Sequence, residues 1–456
     1  MILSKIFSRV SAACIAMSLA VGASLMLTSC SDEPENMECD IETIWVEVDD
    51  PSSLFYSATD VRKTVNTTAQ GKWINWRVRE ESVLGSYPVC YTTTKGATVF
   101  FVDENGQRTA FSSGDVVDFS DERKTYVEVV SQDGQWSKRY TLFMTHDIQH
   151  AEPYDEVVSE DGLSVTRYYR MSFDFGAEGR DIHQGVSGDV GTYYLFRPTE
   201  ENAKNTVFSG YQYWSNGNAG FALSRSSAPI EDYPTTAAIG AGPDGSDCIM
   251  MQTSSTGGLG RMARIYIAAG SLFCGSFDPQ SAMRSRDAAR TATRFGVPFA
   301  YKPLRMTVDM KYEPGPDYWN ADKVVQPNIV DEPDAYIVLF RNDAGESGML
   351  DGTDVLSSPR IVGKARLNHH FNADGSDKPS GNPIHGITRE WQTFTFEMEY
   401  PNGDLDEQIL KERGYWLVIG FSSSWQGADF CGALGSKLYV DNIKVEFSRT
   451  ESIIAE

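Results

Sequence analysis

Over residues 304–312 every second side chain is apolar: Leu304, Met306, Val308, Met310 and Tyr312 alternate with Arg305, Thr307, Asp309 and Lys311. A period of two sets one face of an extended strand against a core and the other in water, a pattern that a helix of period 3.6 cannot use. Phe394, Phe396, Met398 and Tyr400 repeat it against Thr393, Thr395, Glu397 and Glu399. Residues 336–340, 415–421 and 438–447 supply further strands. In the last, Leu438 and Val440 share one phase while Ile443, Val445 and Phe447 share the other, which predicts a β-bulge near Asp441 and Asn442. Helix is expected only in short pieces: Asp404 with Glu407 starts one that Gly414 stops, and residues 281–293, rich in Ala and Arg, form another. The fold class is all-β.

The first thirty residues are a different matter. Lys5 and Arg9 precede an apolar run over residues 10–27, the pattern of a secretion signal. The run ends in Leu27-Thr28-Ser29-Cys30, which resembles the lipobox of bacterial lipoproteins and implies that residues 1–29 are removed and Cys30 carries lipid. Residues 30–40 form an acidic tether, and Ser31-Asp32-Glu33-Pro34-Glu35 resembles the signal that sends Bacteroidota lipoproteins to the outer face of the outer membrane. The expected membrane contact is the lipid alone. Loss of Lys5 and Arg9 moves the formal net charge from −23 to −25, which disfavours nucleic acid as a partner and does not repel a neutral polysaccharide. Cys39, Cys90, Cys248, Cys274 and Cys431 remain; five cannot all pair within one chain, and none shows CxxC spacing.

The remainder is longer than one core usually serves. Residues 41–150 hold short apolar runs separated by Glu104-Asn105-Gly106, Ser113-Gly114-Asp115 and Gln132-Asp133-Gly134, as in a small immunoglobulin-like β-sandwich. Residues 126–143 also resemble the last hairpin of bacterial immunoglobulin-like domains, in which Trp136 would close the end of the core. A second, larger domain spans residues 157–450, so a protease-sensitive linker is expected over residues 146–160.

In the second domain Tyr211-Gln212-Tyr213-Trp214-Ser215-Asn216-Gly217-Asn218 is followed by Leu272-Phe273-Cys274-Gly275-Ser276-Phe277, Phe295-Gly296-Val297-Pro298-Phe299, Tyr312-Glu313-Pro314-Gly315 and Gly432-Ala433-Leu434-Gly435-Ser436-Lys437-Leu438-Tyr439-Val440-Asp441-Asn442. In that order these stretches resemble the putative carbohydrate metabolism domain of surface lipoproteins of gut Bacteroidota. The resemblance implies a jelly-roll β-sandwich similar to carbohydrate-binding modules, and it carries no catalytic residue.

Sugar rings stack their C–H faces on aromatic planes, and several aromatics here sit among polar residues: Tyr211, Tyr213 and Trp214 beside Asn216 and Asn218, Trp319 beside Asp317 and Asn320, and Trp425 beside Gln426 and Asp429. These are the candidate carbohydrate-binding residues. Hydrolysis would need two carboxylates about 5 to 10 Å apart, and 63 acids offer no way to choose a pair. No metal site is expected, because His369 and His370 are adjacent and would point to opposite faces of a strand. No cofactor is expected; Asp244-Gly245-Ser246-Asp247 and Asp374-Gly375-Ser376-Asp377 read as turns, and a structural calcium ion would be compatible with the sandwich. The reading is a surface glycan-binding protein that takes a poly- or oligosaccharide and works with uptake-system proteins. A glycoside hydrolase on the same scaffold and a structural or adhesive protein are the alternatives.

Overall fold

The computed structural model describes residues 35–65, 72–186, 189–197, 214–378 and 389–453. The chain is all-β with short helices, as its alternating pattern requires. Among the described residues no helix is long and apolar enough to cross a membrane.

Two sheets build the first sandwich. Arg62–Thr64, Ile41–Val46, Ser86–Thr93 and Asp115–Asp118 form one; Trp73–Val78, Ser137–His146, Thr125–Val130, Thr98–Val102 and Arg108–Ala110 form the other. Between them lies a core that includes Ile44, Phe55, Trp76, Phe119, Val127 and Leu142. Trp136 does not close that core: it sits on the hairpin before Ser137–His146 and is 43% exposed, because the turn is held by its own polar groups, with Asp133 Oδ1 accepting from Gln135 N at 2.9 Å.

The larger sandwich is organised by its last strand, Lys437–Ser452. Ser164–Phe173 and Cys248–Gln252 pair with it, and so does Lys302–Glu313, which also pairs with Gln392–Glu397. The predicted bulge is present. Thr307 faces Lys444 and Asp309 faces Asp441, so one extra residue is accommodated on the last strand, where Asn442 takes φ 50° and its side chain donates to Asp309 Oδ2 at 2.8 Å.

Facing this sheet is a second, of Ser271–Phe273, Tyr415–Ser422, Asp334–Arg341 and Ile361–Arg366, with Val297–Pro298. Asp334–Arg341 and Tyr415–Ser422 are buried on both faces. Ala335, Ile337, Leu339, Leu417 and Ile419 pack into the main core, while Tyr336, Val338, Phe340, Trp416 and Val418 pack into a smaller one on the outer side. Such continuous apolar runs need cover on both sides. Phe295, Leu350 and Val355 are among the residues that supply the outer cover.

Helices differ in detail from expectation. In place of one helix over residues 281–293 there are two, Pro279–Ala282 and Arg286–Thr291, the second capped by Ser285. Glu407–Lys411 is capped by Asp406, whose carboxylate accepts from Ile409 N at 3.0 Å, while Asp404 pairs instead with Lys302 at 2.6 Å. Within the stretch expected as a linker, Gln149 is bonded to the larger sandwich: its Oε1 accepts from Ala300 N at 2.8 Å, its Nε2 donates to Pro298 O at 3.0 Å, and its carbonyl accepts from Tyr301 Oη at 2.9 Å.

Candidate functional site

Four strand ends meet at one corner of the outer sheet. Ser422 is in register with both Ser271 and Asp334, and Tyr336 with Arg366. Over this corner opens a cavity of about 590 Å³, lined among others by Asp334, Tyr336, Arg366, His369, Phe371 and Trp425. Its size is that of ordinary small-molecule sites. Gly420, paired with Tyr336, makes room for that ring: a Cβ there would come within 2.3 Å of Tyr336 Cζ.

The wall is built around the segment Asp331-Glu332-Pro333-Asp334. Asp334 accepts two bonds from Arg366, at 3.0 and 2.7 Å, and one from His369 Nε2 at 3.2 Å. Burial works against its charge, but the Arg366 guanidinium and the His369 bond outweigh it and hold the carboxyl at about 2. His369 is buried, which disfavours its charge, yet bonds to Asp334 and Glu332 hold its pKa above the ordinary value. Glu332 binds His369 Nδ1 at 3.0 Å and His370 Nδ1 at 3.0 Å. Asp331 is pushed up to about 6 by burial, against hydrogen bonds from Ser424, Ala433 N and Ser436 at 2.6, 2.7 and 2.7 Å.

Trp425 lies in an aromatic column. His369 is tilted 31° to it at 5.4 Å and Phe371 26° at 6.3 Å, and its backbone N–H donates to Glu332 O at 2.7 Å. Of the aromatic candidates taken from the sequence, Trp425 is the one that the described structure brings to this cavity. Trp319 sits elsewhere, on the short strand Tyr318–Trp319, with Lys323 Nζ 5.0 Å from its ring.

Trp214 is a core residue rather than a loop wall. It is 4% exposed, edge-on to Phe173 at 5.0 Å, and its backbone N–H donates to Phe196 O at 2.7 Å. Its polar neighbours serve the backbone. Asn218 donates to Thr235 O at 2.7 Å and accepts from Thr235 N at 3.1 Å, and Asn216 Oδ1 accepts from Asn218 N at 3.0 Å. A cluster that looks like an exposed sugar-binding loop is therefore a buried junction. Tyr211, Tyr213 and Cys30 lie outside the described residues.

The sequence missed Asp334, Arg366 and His369 as site residues. Their signal was the uninterrupted apolar run of Asp334–Arg341, which announces a second covered face and hence a third layer. Among the described residues no group of three or more His, Cys, Asp and Glu is arranged to hold a metal ion. Among the described residues the carboxylates that line the cavity are engaged by arginine, Asp334 by Arg366 and Asp429 by Arg290 at 3.2 Å. Asp334, held at about 2, is not set up as a protonated general acid.

Residues 184–446 match the sequence model of the putative carbohydrate metabolism domain. Among solved structures, a putative glycoside hydrolase from Bacteroides thetaiotaomicron is 26% identical, with 90% of this chain and 97% of that chain covered and a TM-score of 0.63. A putative glycoside hydrolase from Bacteroides vulgatus is 29% identical, covering 60% of this chain and 96% of that one, with a TM-score of 0.48. No curated protein matches. Because the domain accounts for more than half of its length, the chain belongs to the putative carbohydrate metabolism domain family.

Proposed function

We propose that the chain is a cell-surface glycan-binding lipoprotein. Lipid on Cys30 holds it to the outer membrane, residues 30–40 form the tether, residues 41–150 make an immunoglobulin-like spacer, and the cavity of the larger sandwich captures a poly- or oligosaccharide for an uptake system. The observation that carries this reading is the column of Phe371, Trp425 and His369 on a cavity wall whose two carboxylates are both held by arginines. Aromatic rings suit sugar C–H faces, and Asp334, whose charge Arg366 and His369 hold, is not placed to deliver a proton.

A glycan array probed with the protein tests the reading. Trp425→Ala should weaken binding of whatever glycan is found by roughly ten- to a hundredfold, the loss of about 1 to 3 kcal/mol. Unchanged affinity would move the site away from this cavity. A second reading, hydrolysis, draws support from the relative of Bacteroides thetaiotaomicron that bears that name. It requires new reducing ends to appear from a bound glycan and to vanish in Asp334→Asn; a glycan that binds and is returned intact rules hydrolysis of that glycan out.

A further inference from the structure

We infer that the sugar taken by this cavity carries an acidic group, a carboxylate or a sulfate ester. The inference rests on the glycan-binding reading above and narrows it. Its basis is the balance of groups on the wall. The whole chain carries a formal charge of −23 with His counted neutral, yet among the described residues the charged side chains lining the cavity are Arg290, Arg366 and Lys378 against Asp334 and Asp429, with His369 beside them. The sign of the surface is reversed where the ligand enters.

Hydrogen-bonding capacity points the same way. Asp334 already accepts from Arg366 and His369, and Asp429 is paired with Arg290. The acids behind the wall are engaged as well, Glu332 by two histidines and Asp331 by two serines and a backbone N–H. Gln426 has both ends of its amide occupied, the oxygen by Tyr318 and the nitrogen by Ala373 O. Donors, by contrast, are left over. Trp425 Nε1 and Arg290 Nε are buried without an acceptor, and Lys378 is exposed at the rim with no ion pair among the described residues. A hydroxyl of a neutral sugar carries one donor and two acceptor positions and no charge. An acidic group only accepts, and its bonds to a guanidinium or ammonium group would be charge-assisted. A neutral polysaccharide would leave the exposed Lys378 without a counter-charge, whereas an anionic one supplies it.

The test is a panel of matched oligosaccharides titrated against the full chain: uronic-acid oligomers beside their methyl esters, sulfated oligomers beside their desulfated forms, and neutral glucans and mannans. The acidic member of at least one pair should bind about tenfold or more tightly, and which kind of pair responds separates carboxylate from sulfate. Lys378→Gln, an exposed change, should shrink that preference while the melting temperature stays within a few degrees, and so should 0.5 M salt. Equal or better binding of the neutral members overturns the inference and leaves the glycan-binding reading standing. Silence across the whole panel, neutral glycans included, overturns both. A preference that survives in both Lys378→Gln and Arg290→Gln also overturns it, since the cations named here would then not be its cause.

Discussion

Arg413 and Asp147 stand 266 residues apart in the chain and meet in the seam between the two sandwiches. Arg413 Nε lies 3.4 Å from Asp147 Oδ2, and its Nη2 donates to the Asp147 carbonyl at 3.2 Å. Both side chains are almost wholly buried, and Arg77 joins Asp147 from the other side. Arg79 reaches across to Glu412 at 2.7 Å, and Thr59 Oγ1 donates to Ala344 O at 2.7 Å. The seam is thus a bonded surface.

Removing one partner of a buried pair strands the other charge. Arg413→Ala should lower the unfolding free energy by about 3 kcal/mol, the lower end for such a break because Arg77 remains beside Asp147. Urea unfolding measures it, and a loss below 1 kcal/mol would mean that the seam adds little. Limited proteolysis should spare residues 146–152 in the native protein and cut there in the variant.

Trp214→Ala should cost about 3 to 5 kcal/mol, because the ring packs edge-on to Phe173 and Phe175 and a cavity would remain. Asn218→Leu should cost about 2 to 3 kcal/mol by leaving the backbone of Thr235 without its partners. Thermal melts decide both; a Trp214→Ala protein melting within a few degrees of the parent would contradict its place in the core.

Asp331 and Asp334 respond to pH in opposite directions. Asp331 in the fold sits at about 6 against an ordinary 3.8, so its protonated form is favoured by folding. That contribution is complete below the unfolded value and is lost as pH rises through about 6. Asp334, held at about 2, contributes above 3.8 and is lost as pH falls toward 2. Melting temperatures recorded from pH 3 to pH 8 should therefore show Asp331→Asn flattening the decline between pH 4 and 6, an effect on the order of 2 kcal/mol. An unaltered slope in that window would show that Asp331 does not titrate there.

Gly420→Ala should harm binding more than a surface glycine would, because the new Cβ displaces the Tyr336 ring that lines the cavity. A loss of 1 to 3 kcal/mol in stability, typical of overpacking, should accompany weaker glycan binding. Full affinity with lowered stability would place the adjustment on the other side of the sheet.

Much of the fold is written in local spacing. The alternation over Lys302–Glu313 and the phase change within Lys437–Ser452 each depend on near neighbours, so strand and bulge are legible without knowing the partner strand. The site is not local. His369 meets Glu332 and Asp334 only because Asp334–Arg341 pairs with Ile361–Arg366 and folds the segment after it back over the corner. Adjacent His369 and His370 argued against a metal site, but nothing near them in the sequence pointed to the acids that both would bind. Trp214 misled for a related reason: asparagines beside it look like loop polarity, and their use as partners for buried backbone appears only once Thr235 is brought alongside.

The last strand also dictates when the larger sandwich can form. Thr166 and Thr450 share a hydroxyl contact of 2.9 Å at a sequence separation of 284, and Lys437–Ser452 is the partner of strands that begin at Ser164, Cys248 and Lys302. A chain emerging from the ribosome has the first sandwich complete by His146, with its own core, but the second has no central strand until Lys437–Ser452 follows. Closing such distant pairs is slow. Until Lys437–Ser452 is made, the strands that begin at Ser164, Cys248 and Lys302 lack their shared partner, and the edges they would offer it are open to wrong pairing.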